Sequence, residues 1–261
     1  MEKLNMGSST MRIAIAIGLA AGHLYGQVDA KNNKTREYVD PYEIPGIFAR
    51  NAKAVGDRMK NPGKERIVLT GELLLRGQRA PIAAAVELPG KVRVQYGNSN
   101  RTTVFDLEKA DNTAGVDDDD EALLDIFAYD SVDSFLYSIV DGTMPRVLGY
   151  AFRVAGETGF GERVDIYEVV QQVKSRKQVS RIVKQFQFDS LTGLLRRISY
   201  TAVRNGVPVK VRTEYSQYQD FQSQKIAKRI VRREGSSVTI EVQLTQVEVQ
   251  AKGNGNAFKV R

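Results

Sequence analysis

The chain has 261 residues, with 38 Lys and Arg against 31 Asp and Glu and a formal charge of +7. It contains no Cys and one His, His23, so disulfides, thiolate nucleophiles, Ser-His-Asp triads and the common zinc sites are excluded beyond that residue. Carboxylate-only hydrolysis and hard-cation binding through Asp and Glu are the chemistries left open.

In chain order, the first expected element is a leader. Lys3 and Arg12 precede the apolar run Ile13 to Gly22, and small residues follow at Gly26 and Ala30. The run is too short to span a bilayer and has the pattern of a secretory signal peptide. The expected layout is a signal peptide over 1–26, with cleavage as late as residue 30 and Met11 as an alternative start. A flexible segment over 27–44, one domain over 45–250 and a tail over 251–261 follow. No Cys follows the apolar run, which argues against a lipid anchor.

Ile47, Phe48, Ala52 and Val55 recur at helical spacing, and Pro45 suits a first turn, so a helix is expected over 45–57. From Arg66 the period becomes two. Ile67, Leu69, Gly71, Leu73 and Leu75 share one face of the first long strand. Ile82, Ala84, Val86 and Leu88 share a face of the next, and Val92, Val94 and Tyr96 resume after a Pro-Gly turn. "RTTVFDLE" is a further strand.

The β pattern then breaks. Between Asp111 and Asp141 there are ten acidic residues and no Lys or Arg. Asp117 to Glu121 suits a solvated helix start, where negative charge complements the macrodipole. It lacks the spaced ligands and central Gly of an EF-hand loop. Leu124, Phe127, Val132, Phe135 and Ile139 then give a broad apolar face. Residues 121–140 are a candidate lid.

From Arg146 short strands follow one another with tight connections, which predicts an antiparallel meander of about ten strands in all. Asp189 to Gly193 reads as a hairpin turn with Gly193 at a positive φ. In "SSVTIEVQLTQVEV" the apolar parity slips after Leu244, which predicts a bulge near Thr245-Gln246. Residues 171–233 hold fifteen Lys and Arg against three Asp and Glu. Alternation places these on the outer, wet face, where they solvate the sheet and discourage edge pairing. The same face could meet an anionic membrane surface. No aromatic-and-Gly RNA signature is present, so nucleic acid is not an expected partner.

The helix, the sheet, the helical insertion and the late strands "QFQFDSLTGLLRRISY" and "RTEYSQYQDFQSQ" occur in an order that resembles the periplasmic outer-membrane lipoprotein carrier superfamily, the LolA/LolB-like proteins. The stretches that carry the resemblance are Phe188 to Leu195 and Tyr215 to Phe221, within a span of about residues 45–250. It implies a mainly β (α+β) fold: a strongly curved antiparallel sheet forming an incomplete β-barrel wrapped over a helical plug. It implies shielding of lipid or lipoprotein acyl chains in the concavity. Together with the leader and the lack of catalytic motifs, the expectation is a periplasmic, non-enzymatic monomer without cofactor or metal that transiently meets envelope membrane proteins or an anionic membrane surface. The candidate cavity lining is Ile67, Leu69, Leu73, Leu75, Val86, Leu88, Val92, Val94, Tyr150, Phe152, Phe186, Phe188 and Ile198. The competing expectation is an envelope interaction or sensor module of the same fold with a filled core.

Overall fold

The computed structural model describes residues 38–39, 46–56, 65–87, 91–97, 101–106, 118–130, 132, 147–158, 163–174, 179–204, 206–222 and 224–252. All belong to one compact unit, Tyr38–Arg261. The expected leader, Leu88, Phe135, Ile139 and the tail beyond residue 252 lie outside the described residues.

Among the described residues the β periodicity becomes twelve strands in one antiparallel sheet. They are β1 (Tyr38–Val39), β2 (Glu65–Leu75), β3 (Gln78–Glu87), β4 (Lys91–Tyr96), β5 (Arg101–Asp106), β6 (Val147–Thr158), β7 (Val164–Lys174), β8 (Val179–Asp189), β9 (Leu195–Arg204), β10 (Val207–Phe221), β11 (Gln224–Glu234) and β12 (Ser237–Ala251). The sheet order is β1-β6-β7-β8-β9-β10-β11-β12-β2-β3-β4-β5. Two meanders thus join where the last strand pairs with β2, and β1 and β5 form the two open ends. The structure adds β1 to the expected strands. Tyr38 and Val39, placed by the sequence in a flexible segment, pair with Arg153 and Phe152 of β6.

Register fixes one apolar face across the sheet. Val242, Leu73 and Ala80 are successive partners, as are Leu244, Gly71 and Ile82. Side chains opposite one another share a face, so the parities expected for β2, β3 and β4 hold. The bulge expected near Thr245 is present as a register shift between Leu244 and Gln246. It returns Val247 to the inner face, opposite Leu69.

Helices cover this face. Helix α1 (Gly46–Ala54) buries Ile47, Phe48, Asn51 and Ala52, at helical spacing. Lys53 in its last turn suits the dipole, and Gly56, at φ 98°, ends it. Helix α2 (Asp118–Leu124) has four acidic residues in its first turn and runs into a π-helical turn, Asp125–Tyr129. Residues of both helices and of the inner strand faces form one apolar cluster, so the fold is a curved, open sheet over a helical plug.

The start of α2 is anchored rather than merely solvated. Asp119 pairs with Arg76 at 2.8 Å, and buried Asp120 accepts a 2.8 Å hydrogen bond from the Tyr96 hydroxyl. The acidic run therefore ties the insertion to the β2–β3 turn and to β4, and only part of it faces water.

Candidate functional site

The concave face is divided into three zones. Under α1 it is filled by rings. Phe48 meets Phe188, Phe186 and Tyr167 edge-on, with centroids 5.0, 5.6 and 5.7 Å away. Phe186 and Phe188 stack at 6.3 Å. Such contacts contribute beyond area burial, and this zone is solid core.

The second zone is a buried charge network that the residue pattern alone did not lead us to expect. The π-turn closes with an i→i+5 bond, Asp130 N–H to the Asp125 carbonyl at 2.6 Å. Asp130 sits at the centre. Its Oδ1 accepts from Lys184 Nζ at 2.7 Å. Its Oδ2 accepts from Thr213 Oγ1 at 3.2 Å and lies 3.6 Å from Arg232 Nη1. Its backbone carbonyl accepts from the Tyr215 hydroxyl at 2.8 Å. Arg232, with no exposed side-chain surface, also donates to Tyr200 Oη at 3.0 Å, Asp125 Oδ2 at 3.2 Å and Glu234 Oε1 at 3.1 Å. Lys184 and Arg232 were expected on the wet face with the other basic residues. The structure corrects this. Lys184 is two residues from Phe186, and Arg232 two from Ile230, so both point inward by strand parity. That parity, matched by the carboxylates of the apolar insertion, was the signal available in the sequence.

The network is electrically self-contained. Burial raises Asp125 to a pKa of about 6 against the pull of Arg232. Burial, then Asp125 and Asp130, push the Tyr200 phenol well above its ordinary value. Burial would lower Arg232, but Tyr200, Asp125 and Asp130 more than offset it and keep the guanidinium charged. Asp130 lies near enough to raise Asp125 further, and every oxygen of Asp130 is engaged by protein donors. With both oxygens hydrogen-bonded or ion-paired inside the core, Asp130 fastens the π-turn to β8, β10 and β11.

The third zone is a cavity of about 130 Å³. Ile67, Leu69 and Val86 of the expected lining do line it, as do Phe127 and Val132 of the expected lid. The other described candidates do not. Leu73, Val92, Val94, Phe186, Phe188 and Ile198 are buried core, Leu75 packs partly buried against that core, and Leu124 is buried outside the cavity lining. Tyr150 and Phe152 lie on β6, and their side chains are not described. The cavity is instead completed by residues not singled out beforehand: Ile226, Ala227 and Ile230 of β11, Tyr215 and Tyr218 of β10, Leu244, Leu195, Ile126, Val55, Asn51, Asp130 and Lys225.

Among the described residues no cluster of His, Asp or Glu is arranged to hold a metal, and no helix is long and apolar enough to cross a membrane. No family model matches the chain, and no curated protein matches it. Solved structures do. An outer membrane lipoprotein-sorting protein domain from Vibrio parahaemolyticus is 8% identical, with 81% of this chain and 97% of that chain covered and a TM-score of 0.47. A LolA superfamily protein from Nitrosomonas europaea is 9% identical, with 82% and 96% covered and a TM-score of 0.48. A DUF1329 family protein from Desulfovibrio piger is 12% identical, with 85% and 98% covered and a TM-score of 0.46.

Proposed function

We propose that the protein is a non-enzymatic binder of an apolar chain, a lipid or lipoprotein acyl group, in the cavity beneath α1 and the 125–132 segment. The observation that carries this is the lining. Aliphatic side chains from β2, β3, β11 and β12 meet Ile126 and Phe127 around unfilled space inside an otherwise close-packed core. The pocket is partly open and its lining is mostly apolar, a setting that suits an apolar guest. At about 130 Å³ it is close to a space that holds benzene, so it seats a short alkyl segment and not a whole long acyl chain. A periplasmic site of action, reached through the leader, fits such a role.

The test is calorimetric titration with neutral primary alcohols of increasing length. Affinity should rise by about fourfold per methylene, from roughly 0.8 kcal/mol each, and level off near six carbons. Ala227→Phe, which fills the space, should abolish the binding. No binding, or affinity independent of length, would favour the second reading, an interaction module with a filled core. The Phe48, Phe186 and Phe188 packing is what supports that alternative.

A further inference from the structure

The polar groups on the cavity wall are not equivalent. The Asn51 amide donates to the Gly193 carbonyl at 2.8 Å. Tyr215 donates to the Asp130 carbonyl at 2.8 Å, and Tyr218 to the Leu195 carbonyl at 2.7 Å. Asp130 is held by Lys184, Thr213 and Arg232. These four groups are spent on the protein, and a guest meets them as a nearly apolar wall.

Lys225 differs. It is the second residue of β11, opposite Asp220 in the ladder, and its backbone N–H donates to the Val55 carbonyl at the end of α1 at 3.2 Å. Its backbone is thus fixed at the cavity while its side chain is 34% exposed. Among the described residues its ammonium has one ion pair, 3.3 Å from an Asp220 carboxylate that is 75% exposed. With Asp220 largely in water, the pair contributes little. An anion arriving with its tail in the cavity can take the place of Asp220 at small cost.

We infer that the cavity recognises an amphiphile with an anionic head, a carboxylate or a phosphate ester on an alkyl chain. The chain enters the apolar space and the head sits at Lys225 Nζ in place of Asp220. This rests on the apolar-chain reading above and specifies the head group that reading leaves open.

Octanol, octanoate, octyl phosphate and octylammonium, all kept monomeric, separate the two ideas by titration. On the wild type, octanoate or octyl phosphate should bind about fivefold more tightly than octanol, and octylammonium should bind more weakly. A gain for octanoate alone assigns the site to free carboxylates, and for octyl phosphate alone to a phosphate head; either supports the anion site. Lys225→Met should remove the gain, so that octanoate and octyl phosphate bind no more tightly than octanol binds to the same variant. Asp220→Asn should strengthen the anions about twofold and leave octanol unchanged. If octanol binds and no anion does better, or if Lys225→Met weakens octanol as much as octanoate, the anion site is overturned while the cavity reading stands. If none of the four binds, both fall together.

Discussion

At the scale of single residues, two aspartates show how environment sets charge. Asp189 opens the β8–β9 turn. Burial works to raise its pKa, but the Thr192 N–H at 2.7 Å, Arg196 and the Thr192 hydroxyl hold it down at about 2. Asp125 lies in the charge network, where burial outweighs Arg232 and raises it to about 6. The signs for stability are opposite. A carboxyl whose folded pKa lies below its unfolded value near 3.8 stabilises the fold above that value, and the contribution is lost as the pH falls toward 2. A carboxyl whose folded pKa lies above it binds its proton more tightly in the folded state. Its contribution is greatest below about pH 4 and declines as the pH rises through 6. Chemical denaturation of the wild type and Asp125→Asn between pH 4 and 7 checks this. The wild type should lose stability relative to the variant as the pH rises. A difference that stays constant, or one that grows in favour of the wild type, would show that Asp125 is ionised throughout and fully offset by Arg232.

At the scale of elements, the junction of β12 with β2 joins the two meanders. The bulge between Leu244 and Gln246 presses the backbone of Gln243 and Leu244 onto Gly71. A Cβ on Gly71 would clash with the Gln243 carbonyl and lie 2.8 Å from the Leu244 Cα, and both are backbone atoms that cannot swing aside. Gly71→Ala should therefore cost about 3 kcal/mol or more, at the upper end of overpacking penalties. Gly77→Ala is not a clean control, because φ there is 86°, but Gly46→Ala is, since nothing lies within 4 Å of its Cβ position. Urea denaturation of the two variants should show a large loss in the first and almost none in the second; equal midpoints would mean that β12 does not sit on β2 in this register. The sequence carried half of this. Alternation put Gly71 on the inner face among leucines, and the parity slip after Leu244 marked the bulge. The coincidence of the two was not legible, because pairing of the last strand with β2 is a long-range choice that local pattern does not encode.

At the scale of the whole molecule, the order of elements and the parity of their apolar faces were readable, and the site was only partly so. Strand parity marks which side chains point inward, and Ile67, Leu69 and Val86 were identified this way. It does not tell a packed position from one beside a void, since that depends on which helix lies above it. It also turns Lys184 and Arg232 inward, but their pairing with Asp125 and Asp130 of the insertion is a long-range contact that parity does not reveal. That omission bears on how a guest would enter. A lid over 121–140 needs a hinge, yet Asp130, inside that range, joins Lys184 of β8, Thr213 of β10 and Arg232 of β11 in a buried cluster. Lifting the segment at Asp130 would separate buried charges from their partners, and losing one partner of such a pair costs about 3–5 kcal/mol. Opening of that kind belongs to the high-stability end of local unfolding. We therefore expect amide hydrogen exchange through Leu124–Asp130 to be about as slow as through β2, with or without an alkyl ligand. Asp130→Asn should speed exchange in that segment well before it affects β2. Exchange through Leu124–Asp130 that is on the order of a hundredfold faster than in β2 in the wild type, and that slows when octanol is added, would instead make the segment a moving cover and the charge cluster its latch.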